Sequence, residues 1–127
     1  MKKSVNTDRQ CVIRIHNYIS ELGQIINSYN IQSFQDLRRS LAAKYAVTQL
    51  ITNIYELSKM LQEDTLKSLT VFDQIKIRTV RQLASHEYTK IDFKPVFEIC
   101  RQLTSKSVLD ELTKFYEEDT DDVSKQD

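Results

Sequence analysis

Residues 7–29 read TDRQCVIRIHNYISELGQIINSY, and this stretch decides the fold class. Val12, Ile15, Ile19, Leu22, Ile26 and Tyr29 recur at intervals of 3, 4, 3, 4 and 3. A helix turns once in about 3.6 residues, so these side chains line one face of it, whereas a strand needs alternation by two. Thr7 and Gln10 stand three apart ahead of the stripe. They form a capping box: the Thr7 hydroxyl accepts an orphan N–H while Gln10 reaches back. The pattern predicts a long amphipathic helix opening at Thr7.

The same grammar repeats down the chain. Ser33 with Asp36 opens a second helical region, striped by Ala43, Val47, Leu50, Ile54, Leu57 and Leu61. Thr70 with Asp73 caps a third, carrying Phe72, Ile77, Val80, Leu83 and Ala84 on its apolar side. Asp92 caps a fourth, lined by Val96, Phe97, Cys100 and Leu103. Pro95 fits there because it falls in the first turn, where its missing N–H has no helical partner to lose. A last short helix restarts at Ser107 with Asp110 and bears Leu109, Leu112 and Tyr116. Short connections between such helices predict an all-α, antiparallel four- to five-helix bundle.

Composition agrees. The 127 residues hold one glycine and one proline, where average usage gives about nine and six. Tight hairpin turns need those residues, which argues against a sandwich, barrel or meander. Gly23 stands alone, which excludes a glycine-rich phosphate loop. No repeat and no linker divides the chain, so residues 1–117 read as one domain.

Charge is balanced in total, 18 basic against 18 acidic, but not along the chain. Residues 118–127 carry a net −4, with Glu118, Asp119, Asp121, Asp122 and Asp127 against Lys125 alone. They read as an acidic, disordered tail. The rest carries a net +4.

Cys11 and Cys100 sit far apart among apolar neighbours and read as buried free thiols. Pooled with His16 and His86 they lack the spacing of a zinc site, so no metal and no cofactor are expected. His16 borders the first stripe with no arginine beside it, and reads as structural or exposed. The start MKKSVNTDRQ has no apolar stretch behind it, and nothing approaches a membrane span. The reading is therefore cytoplasmic, with no membrane partner.

Chemistry concentrates at the end of the third helix, Lys76 to Tyr88. On a helical wheel Arg78, Arg81 and Ser85 fall on one side, opposite Val80 and Ala84. Guanidiniums beside a histidine make a phosphate cradle, since arginine grips phosphate oxygens with a planar fork. The alternative is a solvated face whose cations favour the helix C-terminus.

Arg81, four residues, His86, one residue and Tyr88 resemble the R-x4-H-x-Y signature of HepT-like proteins in the HEPN superfamily, all-helical ribonucleases of bacterial toxin–antitoxin systems. The resemblance extends to Tyr45-Ala46-Val47 followed by Asn53-Ile54-Tyr55-Glu56-Leu57, which looks like the family's second long helix, and to Lys90-Ile91-Asp92, which resembles the opening of the next. It covers about residues 8–116 in the same helix order. Gln82 departs from the pattern, where the superfamily commonly has Asn or another small polar residue.

This resemblance implies a HEPN-type bundle and a metal-independent endoribonuclease toxin acting on tRNA or mRNA. Cleavage by the substrate's own 2′-hydroxyl needs a base, an acid and positive charge at the phosphorane. His86 can serve as base or acid near neutral pH, and Arg81 would hold the phosphate. One chain carries one motif histidine, so the family's plan implies a homodimer with two His86 side chains across a cleft. Five residues put Arg81 and His86 about 7.5 Å apart along the axis and roughly 140° around it, so His86 must turn back at the helix end. The family also implies Tyr88 as acceptor of AMP added by a partner minimal nucleotidyltransferase, the antitoxin. Tyr88 anchoring the turn by its hydroxyl is the other reading. Arg78, Gln82, Ser85, Asn53 and Glu56 are candidate supporting residues, the last two alternatively a hydrogen-bonded or surface pair. A non-catalytic helical interaction module that binds the nucleotidyltransferase is the second functional class.

Overall fold

The computed structural model describes residues 2–69 and 91–126, with side chains for 7–69 and 91–117. Helix α1 spans Lys2–Ser28. Val12, Ile15, Ile19 and Leu22 of the expected stripe are fully buried along it, Ile26 is half-buried and Tyr29 lies exposed past its end. The start differs from expectation by five residues, because α1 already runs through Thr7 and Gln10. Lys2 to Asn6 contain no glycine or proline, so nothing local stops the helix from extending backwards. At the other end Asn30 takes a left-handed φ of 53°. The Ile31 N–H reaches the Ile26 carbonyl at 2.9 Å and the Asn30 N–H the Asn27 carbonyl at 3.2 Å. This is a Schellman closure, and it buries Ile31 behind the last turn.

The second helical region is two helices, not one. Ser33 caps α2, Phe34–Arg39, accepting the Asp36 N–H at 3.3 Å. The Asp36 carboxylate accepts the N–H of Gln32, the residue before the cap, at 2.9 Å. Ser40 then breaks the run: its backbone is extended, and its hydroxyl accepts the Ala43 N–H at 3.1 Å. That cap opens α3, Leu41–Ser58, which buries Ala43, Val47, Ile51, Ile54 and Leu57. Leu50 is half-buried and Leu61 is buried just beyond the helix. A short α4, Glu63–Ser68, follows where no helix was expected.

The expected third helix, with its Thr70–Asp73 cap, lies outside the described residues. Asp92 caps α5, Phe93–Leu103, by accepting the Lys94 N–H at 3.0 Å, with Pro95 in the first turn as read from sequence. Phe93, Val96, Phe97, Ile99, Cys100 and Leu103 are buried on it. The last helix, α6, spans Lys106–Gln126. It begins behind Ser105, whose hydroxyl accepts the Val108 N–H at 3.4 Å, rather than at Ser107. It is also far longer than the short helix expected, and takes in the acidic stretch up to Gln126.

The described residues thus form six helices and no strand. The described part of the protein is all-helical. Helix α1 lies against α3 and α6, while α2 packs on α5 and α3, and α5 also touches α1 and α6. One contiguous apolar core joins all of them. No helix among the described residues is long and apolar enough to cross a membrane.

Candidate functional site

Arg78, Arg81, Gln82, Ser85, His86 and Tyr88 all lie in residues 70–90, outside the described residues. Their flanks are described. Leu69, which closes α4 through its N–H to the Leu66 carbonyl, is 2% exposed. Ile91, one residue before the α5 cap, is also buried. The two described residues that flank the motif-bearing segment are therefore both packed.

Asn53 and Glu56 are described, and each takes a different partner on or beside α3. They lie one turn apart on α3, Asn53 half-buried and Glu56 exposed. The Asn53 Oδ1 accepts a hydrogen bond from Gln49 Nε2 at 2.9 Å. Glu56 Oε2 lies 3.5 Å from Lys59 Nζ, and that ammonium sits 5.2 Å from the centroid of the Tyr55 ring. An exposed i,i+3 ion pair of this kind contributes little to stability. Its consequence is electrostatic, because Lys59 offsets part of the Glu56 charge.

Opposite them stand Arg14 and Tyr18, four residues apart on α1 and so one turn apart on one side of it. With Asn53, Glu56, Leu57 and Met60 they line a groove of about 200 Å³ between α1 and α3. Arg14 is exposed and makes no ion pair or hydrogen bond among the described residues. Tyr18 is half-buried and packs against the core, which fixes its ring. Sequence reasoning passed over both. The signal was present in Arg14-x-x-x-Tyr18, a basic and an aromatic residue beside the apolar stripe, but nothing local said that α3 would supply the other wall.

A second groove of about 440 Å³ shares Arg14 and Tyr18 and runs along α1 past Asn17 and Glu21. The two hollows make up one candidate site, since both touch Arg14 and Tyr18. Its chemistry is mixed: a free guanidinium, a fixed phenol, an amide with donors to spare, and two carboxylates of which one is paired.

His16 and the two cysteines lie in described helices. His16 is half-buried with its ring edge-on to Tyr116, centroids 5.8 Å apart at 83°, a favourable aromatic geometry joining α1 to α6. Beside it Arg9 Nε donates to the Tyr116 carbonyl at 3.3 Å. Cys11 and Cys100 are both buried and free, as read from sequence. Burial pushes the Cys100 thiol up to about 12, because a thiolate there would lose its hydration. Burial, and then the nearby Asp8 carboxylate, raise Cys11 as well. Neutral buried thiols are poor nucleophiles.

Comparison of the chain with protein-family models, with curated proteins and with solved structures finds no match.

Proposed function

We propose that this protein is a metal-independent endoribonuclease of the HepT-like type, a HEPN bundle with antiparallel helices and the toxin of a toxin–antitoxin pair. The observation that carries the reading is Arg81-x4-His86-x-Tyr88, set in an all-helical chain and followed at once by the Asp92-capped helix. In this reading two chains pair so that one His86 from each faces a shared cleft. One imidazole takes the proton of the RNA 2′-hydroxyl, whose oxygen attacks the adjoining phosphorus. The other protonates the departing 5′-oxygen, leaving a 2′,3′-cyclic phosphate. Arg81 holds the phosphate and offsets the charge that builds on it, a role suited to a fixed cation in a sheltered site.

Tyr88 is the proposed acceptor of AMP from a partner nucleotidyltransferase. An anion added two residues from His86 repels and blocks the incoming phosphate. Mass spectrometry of wild type and Tyr88→Phe, each co-expressed with that enzyme, reads the modification directly. An adduct of the same mass on both proteins removes Tyr88 as the site.

Gln82 favours the second reading, a non-catalytic module that keeps the bundle and the partner, because the superfamily position is commonly smaller. An RNA-cleavage assay separates the two. Cleavage that depends on His86 supports the enzyme, and a folded protein that binds its partner yet never cuts RNA supports the module.

A further inference from the structure

We propose that the groove between α1 and α3, together with the hollow beside it on α1, is a track that serves as a subsite for single-stranded RNA, with Arg14 gripping one backbone phosphate and a base resting over Tyr18. The choice of RNA rests on the endoribonuclease reading above. The site itself rests on the described geometry. Arg14 is the cation of the groove with no partner among the described residues, whereas Arg9 on the same helix is committed to the Tyr116 carbonyl. A guanidinium presents five donors in a planar fork that matches phosphate oxygens.

The other walls suit a nucleotide. The hydrogen bond from Gln49 occupies the Asn53 oxygen, which leaves the Asn53 amide nitrogen as a donor. The Tyr18 ring is already ordered by its packing on the core, so stacking a base on it costs little further side-chain entropy. Met60, 59% exposed at the rim, adds an adaptable apolar surface. Two carboxylates among the described lining residues oppose an anion: Glu56, with Lys59 3.5 Å away, and Glu21 in the larger hollow, which strand binding must keep at a distance from the phosphate.

Extent separates a strand from a lone nucleotide. The smaller groove has room for one base or phosphate, and the larger, which shares Arg14 and Tyr18, lies along α1. Two neighbouring hollows that share Arg14 and Tyr18 suit consecutive units of a chain.

The test uses the His86→Ala protein, which leaves the probe uncut, and a short labelled single-stranded oligoribonucleotide followed by fluorescence anisotropy. Adding Arg14→Gln is expected to weaken binding about tenfold, the scale of one charged hydrogen-bonded contact. It should also make the salt dependence shallower by about 0.7 in log–log slope, one phosphate's worth for a single strand. Arg14→Lys, which keeps the charge, should retain that slope, a rescue that mere misfolding would not give. Unchanged affinity and slope in Arg14→Gln, or no binding at all, overturns the subsite. So does AMP binding as tightly as the oligonucleotide, which would make the track a mononucleotide site. Wild-type cleavage is scored separately. Binding through Arg14 without cleavage removes the enzyme reading and leaves the subsite standing, and cleavage with binding indifferent to Arg14 does the reverse.

Discussion

Asp8 on α1 accepts the hydroxyl hydrogen of Thr65 on α4 at 2.5 Å, across 57 residues of chain. The same carboxylate accepts the N–H of Gln62, the residue before α4, at 3.2 Å, and Asp8 itself is only 2% exposed. Gln62 makes no side-chain cap of its own. The cap of α4 therefore comes from another helix, and α4 leads into the segment that carries Arg81, His86 and Tyr88.

Asp8→Ala removes both bonds and strips the acceptor from a backbone N–H and a hydroxyl. The expected cost is about 1–3 kcal/mol, the range for hydrogen bonds to a charged group partly replaced by water. Asp8→Asn keeps one acceptor oxygen and should lose less. Urea denaturation checks this, and an unchanged midpoint for Asp8→Ala would mean that the clamp contributes nothing.

Gly23 lies inside α1 with an ordinary helical backbone. A Cβ added there meets Thr104 Cγ2 at 3.9 Å, an ordinary van der Waals contact. Gly23→Ala is therefore expected to stabilise the protein by about 0.5–1 kcal/mol, through helix propensity and a less free unfolded chain. A lower urea midpoint for the variant would show that α1 and the α5 end approach more closely than this.

Stability at alkaline pH follows from the cysteines. Cys100 has its thiol pushed up to about 12 from an ordinary 9.0, so the unfolded chain releases this proton first. Its contribution is complete below about pH 9 and is lost as pH rises from there toward 12, at no more than about 1.4 kcal/mol per pH unit. Cys11 is shifted in the same direction. Cys100→Ala should flatten this alkaline decline, whatever it does to stability at neutral pH. Denaturation midpoints followed from pH 7 to about 10.5 give the slope, and parallel declines for wild type and variant would contradict the assignment.

Local signals were legible wherever a residue serves its own neighbours. Val12, Ile15, Ile19 and Leu22 announced the buried face of α1, and Asp92 with Pro95 announced the start of α5. Signals failed where the partner is distant. Thr7 and Gln10 looked like a cap but fall inside α1, while the neighbouring Asp8 caps a helix more than fifty residues away. Helix α4 was invisible for the same reason, since its cap is not in its own sequence. The break at Ser40 was missed because the cap is followed by Ala43 instead of an acidic or amide residue, so no capping box marked it. Of the site, the motif was legible as spacing alone. Asn53 and Glu56 were named from the resemblance, but Arg14 and Tyr18 emerge only when α1 is laid against α3.

Proton transfer by His86 in metal-independent RNA cleavage is what the proposed function requires. It is tested most directly by incubating single-stranded RNA with purified wild type and with His86→Ala, each with and without EDTA. Wild type is expected to cleave equally in both conditions, and His86→Ala to fall by about 10²–10⁴-fold, the usual scale of one general acid or base. Equal cleavage by a folded His86→Ala protein, or cleavage by wild type that EDTA abolishes, would contradict it.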